Sequence, residues 1–382
     1  MYIAMIIIFV IGYAAIALEH PLKIDKSASA LLTGVLVWTA LVIGGDAILG
    51  AKGIQDITHH IDHEILHHLS EIGSILFFLL GAMTIVELID AHEGFRVVTD
   101  RIKTTDRVKL MWILTILTFF FSAALDNLTT SIVMAAVLKK LIKDKKDLWF
   151  FAGMIIIAAN AGGAWSPIGD VTTIMLWIGG QLTAGNVIVE VFLPSLAALL
   201  APLIFVSFTY RGNIERPEEE FQRTHEPIPN WERNLVFFLG VSMLLFVPIF
   251  KTVTHLPPFM GILLGLGVLW LVTEILHRTK NKHHYHHLTV VGTLREVDVP
   301  SVLFFLGILL AVAGLQTAGH LEQLATALDN TFDGNIYIVN MLIGILSAIV
   351  DNVPLVAGAM GMYDFSTYPV DDTFWELLAY CA

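Results

Sequence analysis

The sequence has little charge and almost no cysteine. Only 15% of the 382 residues are charged, and Cys381 is the one cysteine, which excludes an internal disulfide framework. The sequence contains no G-x-x-x-x-G-K-[ST] motif, so ATP is not indicated as a driving force, and no cofactor is predicted. The net charge is −12 and the basic residues stand in short groups rather than in one stripe. Nucleic acid is therefore not an expected partner.

Apolar residues dominate the composition. They make up 56% of the chain, and the mean hydropathy is +0.74. This composition predicts an all-α polytopic membrane protein. The first run has no basic segment before it and no A-x-A-like site, which predicts a retained helix rather than a cleaved signal. The apolar runs lie near 3–18, 28–45, 72–89, 110–138, 148–181, 187–210, 234–250, 258–276, 299–317 and 335–361.

Lysine and arginine predict how these runs are oriented. The loop 46–71 contains only Lys52, whereas five basic residues lie in 91–109. Because cytoplasmic loops are enriched in Lys and Arg, the helix 72–89 is predicted to run from the outside to the cytoplasm. The run 110–138 is flanked by basic segments on both sides, so both of its ends are predicted to be cytoplasmic.

A run whose two ends lie on one side of the membrane must fold back. Folding 110–138 at its centre gives two arms of about 14 residues, roughly 21 Å each, which pass the midplane of a ~30 Å apolar core without crossing it. The sequence therefore predicts a re-entrant hairpin with Asp126 and Asn127 at its tip. Non-helical backbone at that depth is tolerated only where it is buried in protein or lines a cavity, so the tip is expected to face a site.

A second run repeats this pattern with the opposite charge around it. Asp351 and Asn352 interrupt 335–361, and no Lys or Arg follows Arg295, so this hairpin is predicted to enter from outside. The tetrapeptide Leu-Phe-Phe-Leu also occurs twice, at 76–79 and 303–306. These features predict an inverted repeat, the layout of a secondary transporter. The expected domains are N-terminal scaffold helices with a His-rich outer loop, a first repeat, a connecting region, and an incomplete second repeat, at 1–71, 72–210, 211–298 and 299–382.

Helix-breaking residues interrupt the run 148–181 between Asn160 and Thr173. Pro167 removes a backbone donor and frees carbonyls that can coordinate a cation. Side-chain oxygens in the same stretch are the ligands that hard cations prefer. The alternative is a kinked helix with small residues at a packing interface. The offset of 225 between the two aspartates places a partner of this break near position 385, so a C-terminally truncated chain is expected.

Several of these stretches together resemble the NhaD-type sodium/proton antiporters, in a broader ion-transporter group that includes arsenite pumps and divalent-anion/sodium symporters. The stretch Asn-Ala-Gly-Gly-Ala-Trp-Ser-Pro-Ile-Gly-Asp-Val-Thr-Thr is specific to that family, and the Asp-Asn tips are shared more loosely. The resemblance implies a scaffold and a transport core with two hairpins and two broken helices. It extends over 17–20 with Lys26 and Trp38, 76–90, 122–136, 160–180 and 350–363.

The predicted function is exchange of Na+ or Li+ for H+. Burial raises the pKa of a carboxyl group and a bound cation lowers it, so a proton and a metal ion compete for one site. Both aspartates are expected near a shared cavity, although either one could instead cap a helix at a hairpin tip. Glu87 and Asp90 are candidates for a proton path or partners of Arg96. The predicted ion-binding residues are Asp126, Asn127, Thr129, Thr130, Asn160, Ser166, Asp170, Thr172, Thr173, Asp351 and Asn352.

Two other functions fit parts of the sequence. Anion/sodium symport is the runner-up, but carboxylates at both tips would repel an anion in a low-dielectric site. The sequence His63-Glu64-Ile-Leu-His67 matches the H-E-x-x-H zinc motif of metalloproteases, in a His-rich stretch where such a match arises easily. A second cluster, at 283–287, is predicted to be a solvated linker. The expected setting is the bacterial inner (plasma) membrane, with Na+ or Li+, H+ and lipid as partners and a homodimer as one assembly.

Overall fold

The computed structural model describes residues 1–50, 53–217, 228–278 and 288–382. These residues form α-helices and no β-strand, so the all-α prediction is confirmed. The helices are Tyr2–Ala17 (α1), Glu19–Leu22 (α2), Lys26–Ile48 (α3), Ile57–Ala91 (α4), Arg96–Thr99 (α5), Arg107–Leu125 (α6), Asn127–Leu141 (α7), Lys145–Ala164 (α8), Val171–Ile178 (α9), Ala184–Thr209 (α10), Asn230–Thr254 (α11), Pro258–His277 (α12), Val290–Thr293 (α13), Val299–Ala318 (α14), His320–Phe332 (α15), Ile336–Ser347 (α16), Asn352–Met362 (α17) and Thr373–Cys381 (α18).

Eight helices among the described residues are long and apolar enough to cross a membrane. They are α3, α4, α6, α8, α10, α11, α12 and α14. An apolar helix of about 20 residues spans the hydrocarbon core of a bilayer. The protein is therefore an integral membrane protein, as the sequence predicts. The chain forms two compact units, the first from Met1–Phe77, Met175–Thr183 and Asp298–Ala382 and the second from Phe78–Ile174 and Ala184–Val297.

The first unit is built on the crossing of α3 and α14. Glycines let the two backbones touch, because a Cβ atom at Gly307 would lie 2.4 Å from the carbonyl carbon of Ala30 and 2.4 Å from the nitrogen of Leu31. Two turns farther along α3, the Trp38 indole donates to the Leu310 carbonyl at 2.9 Å. Close backbone approach at small residues is the usual way in which membrane helices associate.

The second unit contains the first hairpin, formed by α6 and α7. Its first and last residues reach the same segment, since the Arg107 amide donates to the Gly212 carbonyl at 2.9 Å and the Lys143 amide donates to the Glu215 carbonyl at 3.0 Å. The chain therefore reverses at Asp126 and returns to its starting side. The arms contain 19 and 15 residues, so the predicted length of about 14 is too short, and α6 alone is long enough to cross a bilayer.

One ion pair and a tyrosine hydrogen bond close the base of this hairpin. Arg107 donates through Nη2 and Nε to one carboxylate oxygen of Asp147, at 2.8 and 3.2 Å. The hydroxyl of Tyr210 donates to the other oxygen. Asp147 is 3% exposed. The starts of α6 and α8 and the end of α10 are thus fixed to one buried carboxylate.

The structure corrects three other expectations. The stretch predicted as a His-rich outer loop is helical from Ile57, so the helix expected at 72–89 is 35 residues long. The helix α15 was not predicted, because it alternates apolar and polar residues and is too short and too polar to look like a membrane span. Arg96 pairs with Glu93 and Asp100, at 2.7 and 3.5 Å, and its predicted pairing with Glu87 or Asp90 is wrong.

The buried pair at the hairpin base predicts a loss of stability in Asp147→Asn. The substitution removes the charge that Arg107 faces and weakens a charge-assisted contact, at an expected cost of about 1–2 kcal/mol because the arginine is partly exposed. The thermal unfolding midpoint of the detergent-purified protein measures this cost. The control is Asp62→Asn on the exposed face of α4, which should leave the midpoint unchanged. Equal midpoints for both variants would contradict the assigned role.

Candidate functional site

Asp126 forms the tip of the first hairpin in an unusual backbone conformation. Its φ of 81° and ψ of 157° lie in a region that is almost reserved for glycine. The carboxylate compensates by capping α7, because Oδ1 accepts from the Thr129 amide at 2.8 Å and Oδ2 accepts from the Thr129 hydroxyl at 2.7 Å. Strain of this kind costs about 1–3 kcal/mol and is concentrated at functional sites. The expected capping role is therefore present, together with a strain that capping alone does not require.

Asn127 joins the hairpin tip to the interrupted helix. Its Nδ2 donates to Asn160 Oδ1 in α8 at 3.0 Å and to Asp170 Oδ2 at 2.5 Å. The helix ends at Ala164 and resumes at Val171, so the predicted break is present and Asp170 is its last residue. Residues that are 33 and 43 positions apart from Asn127 thus meet at one amide group.

Asp170 is held rigidly in this break. It is 7% exposed, and its Oδ1 accepts from the Thr172 amide at 3.1 Å and from the Thr172 hydroxyl at 3.0 Å. Asn160 lies at the exposed rim of the same group. The result is a cluster of side-chain oxygens from two helix interruptions, which we call the tip–break cluster: Asp126, Asn127, Thr129, Asn160, Asp170 and Thr172.

The tip–break cluster brings two carboxylates close together. Asp170 lies near enough to Asp126 for their charges to repel. No ion pair within the described ranges reaches the carboxylate of Asp126, and the nearest polar contacts come from Thr129. A carboxylate beside a like charge in a poorly hydrated place is stabilised by binding a proton or a cation. The geometry therefore suits an exchangeable positive ion.

Hydroxyl groups around the cluster donate hydrogen bonds to backbone carbonyls. Ser122 donates to the Ala159 carbonyl and Ser166 donates to the Ala123 carbonyl, each at 2.5 Å. Thr173 donates to the Ala164 carbonyl at 3.3 Å. Ser166 and Thr173 thus position the backbone in this structure, and the ligand role predicted for both stays a prediction. Ser122 was not predicted as a site residue, although its place four residues before Asp126 is the signal that could have identified it.

Thr130 differs from these hydroxyls. It is 1% exposed, and its Oγ1 has no hydrogen-bond partner among the described residues. It lies one turn after Asp126 and Asn127 on α7, so it shares their helix face.

The tip of the second hairpin has a different electrostatic environment. Asp351 caps α17 by accepting from the Val353 amide at 3.1 Å, and Lys26 Nζ lies 3.3 Å from its Oδ2. The Lys26 ammonium also stands 4.4 Å from the centroid of the Phe304 ring. The charge of Asp351 is therefore already paired within the first unit. Lys26 was not predicted as its partner, because 325 residues separate the two and no local pattern links them.

The structure groups the histidines of α4 differently from the H-E-x-x-H motif. Glu64 lies 3.6 Å from His63 and 3.8 Å from His68, and the group whose ligand atoms cluster is His67, His68 and Glu71, without His63 and Glu64. The rings of His63 and His67 stack with centroids 6.3 Å apart, and the zinc role predicted for His63, Glu64 and His67 stays a prediction. The second histidine cluster, at 283–287, lies outside the described residues.

Comparison with known proteins gives consistent matches along the chain. A family model described as a citrate transporter matches residues 5–381. Sodium/proton antiporters 1 and 2 of Arabidopsis thaliana are 44% and 43% identical over 381 residues, which cover 100% and 99% of this chain. The chain spans 64% of the length of antiporter 1 and 87% of that of antiporter 2. The Na(+)/H(+) antiporter NhaD of Alkalimonas amylolytica is 30% identical, over 94% of this chain and 76% of that protein.

The close approach of α8 to α6 predicts that Gly162→Ala disrupts the cluster. A Cβ atom at Gly162 would lie 2.1 Å from the Phe119 carbonyl oxygen, and backbone cannot rotate away as a side chain can. Separating the helices would pull Asn160 from Asn127, at an expected cost of about 1–3 kcal/mol.

Thermal unfolding of the purified variants tests this prediction. Gly153→Ala is the matched control on the same helix, because a Cβ atom there meets nothing within 4 Å. It should be neutral or stabilising by up to about 1 kcal/mol from helix propensity. The packing account is wrong if the two glycines tolerate alanine equally.

Proposed function

The chain belongs to the citrate-transporter family and to the NhaD-type sodium/proton antiporters, and from this premise we propose that it exchanges Na+ or Li+ for H+ across a membrane. The family consists of transporters rather than enzymes in the catalytic sense. The relatives that carry sodium/proton antiporter names match nearly the full chain. The observation that carries the proposal is the tip–break cluster, in which Asp126 has no basic partner among the described residues and faces the like charge of Asp170.

Coupling follows from competition at the cluster. When a proton binds, the repulsion between the two carboxylates is relieved, and when Na+ binds, the same repulsion is relieved by the metal ion. Only one of the two ions is needed at a time, so filling the site with one releases the other. Side-chain oxygens are suitable ligands for a hard cation, and Asn127, Asn160, Thr129 and Thr172 supply them beside the carboxylates.

The residues of the cluster take different parts in this mechanism. Asp126 and Asp170 hold the exchanged ion, and Asn127 fixes the distance between the hairpin tip and the helix break. Thr130 offers a buried hydroxyl oxygen on the same helix face. Ser166 and Thr173 position the backbone. Asp351 and Asn352 stay predicted ion-binding residues, with the condition that Asp351 must leave Lys26 to accept a cation.

Glu87 and Asp90 remain the proposed proton path. Both stand near the end of α4, and neither forms an ion pair within the described ranges. Exchange needs a membrane that carries a proton gradient, and the bacterial inner (plasma) membrane is the setting we propose for pH and salt homeostasis. The Arabidopsis relatives place the family outside bacteria as well. We also propose that the protein assembles as a homodimer.

Anion transport is the second candidate, because the matching family model is described as a citrate transporter. An anion binding directly to the tip–break cluster would face two carboxylates, and the interaction between like charges is strongly unfavourable at low dielectric. Citrate transport by this chain would therefore need a cation bound first. Citrate transport and Na+/H+ exchange can therefore be told apart by experiment.

Everted membrane vesicles that carry the protein test the proposal. A respiration-generated pH gradient should collapse when Na+ or Li+ is added and should persist with K+. In Asp126→Asn the response to Na+ should fall by roughly tenfold or more, since losing a charged ligand costs about 1.5–3 kcal/mol. Asp62→Asn, on the exposed face of α4, is the control and should respond like the wild type.

The alternative outcomes are equally distinct. If no monovalent cation dissipates the gradient and radiolabelled citrate accumulates with Na+, the antiporter proposal is wrong and the fold transports an anion. A full response in Asp126→Asn would remove the tip–break cluster from the mechanism even if exchange itself is observed.

A further inference from the structure

Three buried ligating side chains meet at one place in the second unit. His92 follows α4, Glu232 lies in the first turn of α11, and His277 ends α12. His92 and Glu232 are 0% exposed and His277 is 8% exposed. Ionisable side chains are rarely buried to this degree unless they are paired or coordinate a metal.

The geometry of the three side chains suits one metal ion. One ligand atom from each residue lies within 4.8 Å of the other two. His277 Nε2 and Glu232 Oε1 are 2.7 Å apart, whereas two ligands of a tetrahedral zinc ion are about 3.3 Å apart. A shift of roughly half an ångström therefore turns this hydrogen-bonded pair into two metal ligands. The imidazole rings of His92 and His277 are nearly parallel, with centroids 5.3 Å apart.

A backbone carbonyl presets the tautomer of His92. His92 Nδ1 lies 2.7 Å from the Leu88 carbonyl oxygen, which can only accept, so Nδ1 is the donor. In the neutral ring the lone pair is then on Nε2. Metal-binding histidines almost always donate their second nitrogen in this way, because the contact fixes the ring and raises its basicity.

The arginine next to Glu232 in sequence pairs with a different carboxylate. Arg233, next to Glu232 in sequence, directs Nη1 toward Asp100 Oδ2 at 3.7 Å. Two imidazoles and one carboxylate match the preference of zinc-class ions, whereas Na+ prefers oxygen ligands alone. The set differs in chemistry from the tip–break cluster.

We propose that His92, Glu232 and His277 form a structural binding site for a divalent transition-metal ion of the zinc class. Binding there ties the ends of α4 and α12 to the start of α11. The site is independent of the proposed ion exchange. When no metal is bound, the hydrogen bond between Glu232 and His277 keeps the pair together.

Zinc titration of the chelator-treated, detergent-purified protein tests the proposal. Zn2+ should raise the thermal unfolding midpoint, because a ligand that binds only the folded state stabilises it. His92→Gln and Glu232→Gln should each abolish the rise and lose about one equivalent of bound zinc. His255→Asn is the histidine control, since His255 is exposed at the other end of α11. It should behave like the wild type.

Exposed histidines on α4 provide the competing explanation. If the wild type shows no rise, or if the rise persists in His92→Gln and disappears in His67→Gln, the proposal is overturned. Should either glutamine variant fail to fold, X-ray absorption of the zinc-loaded His67→Gln protein decides the question. Two imidazole ligands and a carboxylate support the site, and fewer than two imidazoles contradict it.

Discussion

One side-chain amide connects the hairpin tip and the helix break of the second unit. Asn127 Nδ2 donates to both Asn160 and Asp170, so the hairpin tip and the helix break are fixed to each other. An irregular backbone inside a membrane protein is tolerated only when its polar groups find partners. Ser122 in α6 donates to the Ala159 carbonyl of α8, and Ser166 in the break donates to the Ala123 carbonyl of α6. The break is therefore a rigid site built by reciprocal hydrogen bonds rather than a flexible kink.

In the proposed mechanism, the fixed positions of the two carboxylates give them their function. Asp126 has a glycine-like backbone conformation, and the hydrogen bond that its carboxylate accepts from the Thr129 amide helps to maintain it. The carboxylate of Asp170 is held in the same way by Thr172. Two carboxylates held in place cannot move apart to relieve their repulsion, and in the proposed mechanism a bound proton or cation relieves it. Asp351 is the instructive contrast, because Lys26 already supplies its counter-charge. The same Asp-Asn pair thus has different electrostatic environments at the two hairpin tips.

Much of this could be predicted from sequence, because the relevant signals are local. Polar residues inside an apolar run, glycine and proline in a helix, and lysine on both sides of a hairpin all act over a few residues. They placed Asp126 at the reversal between α6 and α7 and Asp170 in the break between α8 and α9, and the ion-binding role of both residues stays a prediction. The length of α4 was missed because its His-rich segment is too polar to look like a membrane span, although Ile57, Ile61, Ile65 and Leu69 recur at helical spacing and the segment is helical from Ile57. No local spacing predicts contacts between residues that are far apart in sequence, such as Lys26 with Asp351 or His92 with Glu232 and His277. The inverted repeat remains a prediction.

The central claim is that one site exchanges a proton for a sodium ion, and proton release on sodium binding tests it most directly. Na+ is added to the purified protein in weakly buffered detergent solution, and the change in pH is recorded for the wild type and for Asp126→Asn. The account predicts saturable proton release by the wild type, weaker Na+ binding as the pH falls, and no release by Asp126→Asn. Sodium binding that releases no protons, or release that persists without the Asp126 carboxylate, would contradict it.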